Sequence, residues 1–175
     1  MAEYLKKATL TSKSDASDVH ATVKGILVDI EERGDAAAME YAAKFDGYDG
    51  NVVLTQEDID AAIAAVPERL KVDIRFAADN VRRFAEAQRA TLIDTELEVV
   101  PGLIAGQKTI PVAAAGAYVP GGRYSHVASA IMTVTTAKVA GVSHVTACSP
   151  PRPGEGIAPA IVYAAHICGA DTILA

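Results

Sequence analysis

Four consecutive side chains capable of bonding or charge interactions follow a glycine pair in the second half of the chain. The pair Gly121-Gly122 is succeeded at once by Arg123-Tyr124-Ser125-His126. Glycine permits unusual φ angles and a close approach of a ligand to the backbone. A guanidinium, hydroxyls and an imidazole suit the binding of an anion through charge-assisted hydrogen bonds. We therefore expect a ligand site here, and the alternative is that the glycines only form a tight turn.

The segments on either side of this loop predict a strand and a helix. An apolar run from Ile110 to Val119, interrupted only by Pro111 and Gly116, is typical of a buried strand in a sheet covered on both faces. From Val127 to Val139, apolar residues recur at helical spacing. Ligands of open parallel sheets bind beyond the carboxyl ends of the strands, where N–H groups at a helix start receive an anion. The order strand, loop, helix therefore predicts such an edge.

The remainder of the second half predicts further strands and one more helix. We expect a hairpin of Thr95–Val100 and Leu103–Ile110, strands at Ser143–Cys148 and Asp171–Ala175, and a helix at Ile157–Cys168. Right-handed crossovers would place the loops 119–126 and 149–156 at one edge of the sheet. The sequence therefore predicts an α/β fold, with half of a doubly wound, Rossmann-like parallel sheet preceded by a β-hairpin.

The first half of the chain predicts helices. After an extended or frayed lead-in, they are expected at residues 18–33, 35–46, 55–66 and 67–90, with Asp35 and Thr55 as N-caps. The last helix would extend about 36 Å, with its charged residues on a solvated face. Because the composition changes near Thr95, we predict a helical segment over 1–94, serving as a packing or dimer arm, and the first part of an α/β nucleotide-binding domain over 95–175.

Composition and charge argue against several classes of partner. The net charge is −6, the isoelectric point is about 5.2, no Lys/Arg block occurs and tryptophan is absent, so neither a nucleic acid nor a membrane surface is expected as partner. Cys148 and Cys168 lie among apolar neighbours and are expected to be free thiols. The first residues lack the apolar core of a signal peptide. These features predict a soluble, cytoplasmic protein.

Several motifs resemble the histidinol dehydrogenase family over essentially the whole chain. They are Arg33–Ala37, Tyr41–Asp46, Gly116–Gly122, Ala137–Val142 and Ser149–Pro151. The resemblance implies a homodimeric, NAD-dependent enzyme containing Zn²⁺, which oxidises a primary alcohol through an aldehyde to a carboxylate.

The same resemblance assigns part of the predicted site. It implies that Tyr118, Pro120, Gly121 and Gly122 bind the cofactor. Family members are much longer than this chain, so the sequence is expected to be the N-terminal part of an enzyme. The zinc ligands and the proton-transferring Glu and His would then follow residue 175, and no catalytic or metal-binding residue is predicted within the chain.

The segment after the glycine pair departs from most of the family. Arg123–Ser129 resembles the branch that acts on sulfopropanediol, a small alcohol that carries an anionic sulfonate. This resemblance implies that Arg123, Ser125 and His126 bind the substrate. Two alternatives for Arg123 are the cofactor pyrophosphate and a surface carboxylate. For the protein, the alternatives are histidinol oxidation and a non-catalytic nucleotide-binding or dimerisation module.

Overall fold

Within the described residues, four helices and a π-helical segment are followed by five strands and two further helices. The computed structural model of the chain describes residues 13–121, 124–152 and 154–175. The helices are α1 (Lys13–Arg33), α2 (Asp35–Tyr41), a π-helical segment (Ala42–Asp46), α3 (Gln56–Ala65), α4 (Glu68–Ala90), α5 (Val127–Val139) and α6 (Pro159–Cys168). The strands are β1 (Thr95–Val100), β2 (Leu103–Gln107), β3 (Ala114–Tyr118), β4 (His144–Cys148) and β5 (Thr172–Leu174).

A parallel sheet carries the second half of the fold. Strands β3, β4 and β5 pair in that order, all parallel, with α5 and α6 as the connections between them. Strands β1 and β2 form a separate antiparallel hairpin around Gly102, whose φ is 86°. This architecture confirms the predicted α/β fold, with a helical N-terminal segment, a leading hairpin and a β-α-β-α-β unit.

The segment 52–54 extends the sheet beyond β5. Leu54 N–H donates to Ile173 O over 3.0 Å, and Ala175 N–H donates to Val52 O over 2.8 Å. Val53 and Leu174 form an antiparallel bridge. The first half of the chain is therefore fastened to the sheet through its backbone.

One hydrophobic core joins α4 to the sheet and its helices. Its largest fully buried side chains include Ile161, Val134 and Val145, and α4 contributes Ile74 and Ala78. The division of the chain at residues 94 and 95 stays a prediction. No helix within the described ranges is long and apolar enough to cross a membrane.

The charged face of α4 is not entirely solvated. Arg75 Nη1 donates to the hydroxyl of the buried Tyr163 over 2.7 Å. A buried hydroxyl needs a partner, and this bond provides it while tying α4 to α6.

The prediction that β3 is buried on both faces is wrong for the described residues. Within β3 only Ala117 is buried, while Ile110 and Val112, predicted to belong to the strand, precede it and are exposed. Because β3 pairs with β4 on one side only, it is the edge strand among the described residues. The apolar run predicted a central strand because composition alone does not show how many neighbours a strand has.

Some element boundaries also differ from the predictions. Helix α1 begins at Lys13, and α6 begins at Pro159, where a missing N–H costs no helical bond. Asp35 is the first residue of α2 and not its cap, since Gly34 precedes the helix with a φ of 60°. The predicted cap at Thr55 is confirmed, because its side chain and that of Asp58 bond reciprocally to backbone N–H groups. The predicted lead-in, residues 1–12, lies outside the described residues.

Candidate functional site

Two loops meet beyond the carboxyl ends of β3 and β4. Val119 N–H donates to Cys148 O over 2.7 Å, and Ser149 N–H donates to Leu174 O over 3.1 Å, so both segments leave the sheet at one level. Farther out, Arg152 Nη2 donates to Ser125 Oγ over 2.9 Å. The prediction that the loops 119–126 and 149–156 share an edge is therefore confirmed.

The start of α5 lies at this edge without a side-chain cap. His126 occupies the N-cap position, but its side chain makes no capping hydrogen bond. Its backbone N–H donates to Pro120 O over 3.2 Å, which folds the loop back on itself. The first N–H groups of a helix carry a partial positive charge that attracts anions. This helix start therefore suits a phosphate or sulfonate group.

Gly121 lies where a side chain would meet close neighbours. A Cβ atom placed there would lie 2.3 Å from Ser149 Oγ, 3.2 Å from Ile161 Cδ1 and 3.4 Å from the backbone oxygen of Pro150. The φ angle of Gly121 is not in the left-handed region, so the requirement is for space alone. The backbone of the loop therefore lies directly against the segment after β4.

Ser149 is buried beneath this contact. It is 2% exposed, and within the described part of the chain its Oγ has no hydrogen-bond partner. A buried hydroxyl without a partner is costly, and such groups in folded proteins call for an explanation. An unpaired hydroxyl beside Gly121 is consistent with an edge built to receive a ligand.

An exposed aromatic ring stands at the end of β3. Tyr118 is 65% exposed and lies opposite Cys148 in the parallel register. Burial raises the pKa of the Cys148 thiol above its ordinary value, so this group stays protonated near neutral pH. The edge therefore offers an aromatic surface for contact and no thiolate nucleophile.

The structure brings together most of the residues predicted for the site. Tyr118 is the last residue of β3, and Pro120 and Gly121 lie on the loop after it. Ser125 and His126 lie at the start of α5. Two further predicted residues, Gly122 and Arg123, lie outside the described residues. The roles assigned to all seven stay predictions.

Sequence reasoning did not assign two residues of this edge to the site. Ser149 entered only as part of the motif Ser149–Pro151, and Arg152 was not singled out. The available signal was the predicted meeting of the two loops, since Arg152 is the arginine of the second loop and Ser149 is its first residue. The burial of Ser149 and the bond between Arg152 and Ser125 depend on packing that spacing does not reveal.

The described residues fit a dinucleotide better than a metal. A close glycine backbone, an uncapped helix start and an exposed aromatic ring suit a pyrophosphate and a flat base. In contrast, the described ranges contain no group of three or more His, Cys, Asp or Glu side chains that could hold a metal ion. They therefore do not form a zinc site.

The chain has an open parallel sheet, with Gly121 and an uncapped helix at its carboxyl edge. This is the α/β architecture in which ligands generally bind at that edge. The family model described as histidinol dehydrogenase matches residues 9–175. The chain is a member of the histidinol dehydrogenase family.

Individual relatives agree with this membership. The chain is 75% identical to the sulfopropanediol 3-dehydrogenase of Ruegeria pomeroyi, over 99% of the chain and 40% of that protein. It is 40% identical to a histidinol dehydrogenase of Methanosarcina barkeri, over 94% of the chain and 38% of the relative.

A solved structure shows the same fold. The crystal structure of histidinol dehydrogenase from Elizabethkingia anophelis matches with a TM-score of 0.85 and 28% identity, covering 97% of this chain and 38% of that one. The chain thus spans about 40% of the length of the curated relatives it matches. The resemblance to the sulfopropanediol branch of the family is confirmed.

Proposed function

We propose that the native-length protein is an NAD-dependent, zinc-assisted dehydrogenase. Its substrate would be 2,3-dihydroxypropane-1-sulfonate (sulfopropanediol), whose terminal alcohol it oxidises to the carboxylate of sulfolactate. The observation that carries the proposal is the 75% identity to the sulfopropanediol 3-dehydrogenase of Ruegeria pomeroyi. The lower identity of 40% to a histidinol dehydrogenase favours the sulfonate over histidinol.

The chemistry requires two successive oxidations. Conversion of a primary alcohol to a carboxylate passes through an aldehyde, transfers one hydride to each of two NAD molecules and takes one oxygen atom from water. NAD, when bound, supplies the hydride acceptor. Because the described residues do not form a zinc site, we propose that the metal ligands and the proton-transferring couple belong to a part of the protein outside this chain.

The contribution proposed for this chain begins with the cofactor. Tyr118 would contact a flat ring of NAD, while Pro120, Gly121 and Gly122 would form the turn beside its pyrophosphate. The lack of space for a Cβ atom at Gly121 supports this role, because it indicates a backbone that must stay close to its surroundings. The uncapped start of α5 supports it further, since its N–H groups attract a pyrophosphate.

The substrate would be oriented by the polar residues after the glycine pair. We propose that Arg123, Ser125 and His126 bind the anionic end of the alcohol. A guanidinium and a hydroxyl bind a sulfonate through charge-assisted hydrogen bonds and would hold the remote alcohol in one position. Ser125 and His126 support this role through their location at the start of α5.

The proposal includes the organisation of the protein. Residues 1–94 would form a helical arm for packing or dimerisation, and residues 95–175 would form the first part of the nucleotide-binding domain. The enzyme would act in the cytoplasm as a homodimer on a small anionic alcohol, with neither nucleic acid nor membrane as partner.

The proposal is tested by NADH formation in the zinc-loaded, native-length protein. Sulfopropanediol and histidinol are assayed side by side at equal concentration. We expect turnover of sulfopropanediol alone. Turnover of histidinol alone would contradict the proposed substrate and would favour a histidinol dehydrogenase of amino-acid biosynthesis. Cofactor binding without turnover of either alcohol would favour a non-catalytic module.

A further inference from the structure

We propose that Arg152 is an anion-binding residue at the carboxyl edge, positioned to receive a tetrahedral oxyanion group of a ligand. Two sources offer this chemistry: the pyrophosphate of the cofactor and the sulfonate of the substrate. The identity of these ligands rests on the proposed function, whereas the geometry of the site stands on the contacts of Arg152 itself.

The position of the guanidinium is the first observation. Arg152 Nη2 donates to Ser125 Oγ over 2.9 Å, and Ser125 directly precedes His126, the N-cap residue of α5. The guanidinium therefore lies one hydrogen bond from an uncapped helix start. A full positive charge and the positive end of the helix dipole then act on the same space, and both favour an anion.

The backbone of Arg152 is fixed by a short turn. Its N–H donates to Gly156 O over 2.8 Å, and in return its carbonyl oxygen accepts from Gly156 N–H over 3.2 Å. The turn depends on glycine, since Gly154 and Gly156 have φ angles of 71° and 72°. A charged side chain on such a base, tied at its tip to Ser125, is held ready for a ligand and loses less freedom on binding.

The charge of Arg152 is only weakly compensated within the described ranges. Glu155 Oε2 lies 3.9 Å from Nη1, and its side chain is 72% exposed, so this ion pair is long and screened by solvent. The bond to Ser125 uses one of the five N–H donors of a guanidinium. The side chain of Arg152 is 34% exposed, which leaves it accessible to a ligand.

A second, independent feature of the edge points to a ligand. Ser149, which is 2% exposed, has an Oγ without a hydrogen-bond partner in the described part of the chain. It lies at the start of the loop that carries Arg152 and against the turn at Gly121. One edge of the sheet therefore holds an uncapped helix start, an unpaired hydroxyl and a cation whose charge is only weakly compensated.

The test compares three variants of the native-length protein by isothermal titration calorimetry. Arg152→Gln removes the charge, Arg152→Lys keeps the charge but loses the planar fork, and Glu155→Gln removes the neighbouring carboxylate. NAD is titrated into the free enzyme, and sulfopropanediol is titrated into the enzyme–NADH complex, in which no hydride can be accepted. Melting temperatures are measured in parallel.

We expect Arg152→Gln to raise the Kd of one of these ligands about tenfold or more, as loss of a charged hydrogen bond does. The Kd of Arg152→Lys should fall between those of Arg152→Gln and the parent protein, because a point charge replaces the fork. Glu155→Gln should leave this Kd unchanged or lower it. Binding to the Arg152→Gln variant should also depend less steeply on salt.

The two arms distinguish the sources of the oxyanion. Weaker binding of NAD assigns Arg152 to the pyrophosphate, and weaker binding of sulfopropanediol assigns it to the sulfonate. If Arg152→Gln lowers the melting temperature but leaves both Kd values unchanged, Arg152 is only a tether between the loops and the proposal is wrong. If Arg152→Gln does not fold, the same comparison is made with Arg152→Lys.

Failure of the proposed function would look different. If the parent protein does not turn over sulfopropanediol but Arg152→Gln binds NAD more weakly, the anion site is supported and the assigned substrate is wrong. If the parent protein oxidises sulfopropanediol but Arg152→Gln binds both ligands as tightly as the parent does, the proposed function is supported and the anion site is wrong.

Discussion

The two ends of the parallel sheet differ in how completely their polar groups are paired. At the amino end, Asp171 Oδ2 accepts from Val145 N–H over 2.7 Å and from Lys138 Nζ over 2.9 Å. At the carboxyl end, the Oγ of the buried Ser149 has no partner in the described part of the chain. One end of the sheet therefore has its buried polar groups paired, while the other keeps an unpaired buried hydroxyl at the edge where we propose that the ligand binds.

Helix α5 connects the two ends and contributes differently to each. Its last turn contains Lys138, whose charge suits the negative end of the helix dipole and also pairs with Asp171. Its first residue, Val127, follows His126, which provides no side-chain cap. The helix terminus at the amino end of the sheet therefore carries a charge that suits the dipole, whereas the terminus at the carboxyl end has no side-chain cap.

The largest predicted effect comes from filling the space at Gly121. In Gly121→Ala the new methyl group would lie 2.3 Å from Ser149 Oγ, so either the buried Ser149 side chain or the loop must move. We expect the free energy of unfolding to fall by about 2 kcal/mol, as is typical of overpacking. Chemical denaturation of the native-length protein measures this change, and NAD affinity should fall with it.

Gly116 provides a matched control for this substitution. It lies in β3 of the same sheet, and a Cβ atom there would meet nothing within 4 Å. Gly116→Ala should therefore change stability by less than about 0.5 kcal/mol, as substitutions away from close contacts do. Equal losses in both variants would show that the carboxyl edge has no special requirement for close approach.

A smaller effect, on binding alone, is expected from Tyr118→Ala. The ring is 65% exposed, so its removal should leave stability nearly unchanged. If the ring stacks on the cofactor, the Kd for NAD should rise about tenfold, within the range that one stacked ring contributes. Tyr118→Phe, which keeps the ring, should bind NAD like the parent protein, and an unchanged Kd in Tyr118→Ala would refute the cofactor role.

The sequence predicted the carboxyl edge better than the sheet around it. The glycine pair, Pro120 and the helix after His126 carry local signals for a turn and a helix start, and these were confirmed for the described residues. The exposure of β3 was not predictable, because an apolar run does not show how many strands lie beside it.

The contacts between the loops were also beyond prediction. Arg152 and Ser125 are separated by 27 residues, and their bond exists only because parallel pairing of β3 and β4 brings the loops together. Ser149 Oγ likewise lies close to Gly121, which belongs to the loop after β3. Local patterns specify elements and caps, whereas such long-range contacts follow from the packed fold.

A still smaller effect is expected from Ser149→Ala, which removes the unpaired hydroxyl. Because a buried hydroxyl without a partner destabilises a fold, the ligand-free protein should keep its free energy of unfolding or gain up to about 1 kcal/mol. NAD affinity should nevertheless fall, if the hydroxyl is reserved for a ligand. Unchanged affinity together with increased stability would leave Ser149 without a role in the site.

The smallest effect should come from the amino end, and it should depend on pH. The N–H of Val145 and the ammonium of Lys138 hold the pKa of Asp171 below its ordinary value. A carboxylate with a lowered pKa in the folded state stabilises that state above the pKa of the unfolded chain, about 4, and loses this contribution as the pH falls through the folded pKa. Asp171→Asn should therefore be less stable than the parent protein by a constant amount between about pH 5 and pH 7, and the difference should shrink below about pH 4.

Denaturation curves across this pH range measure the difference in stability between Asp171→Asn and the parent protein. A difference that widens in acid would contradict the assigned role. NAD affinity should be the same in both proteins near neutral pH, because Asp171 lies at the end of the sheet away from the proposed site.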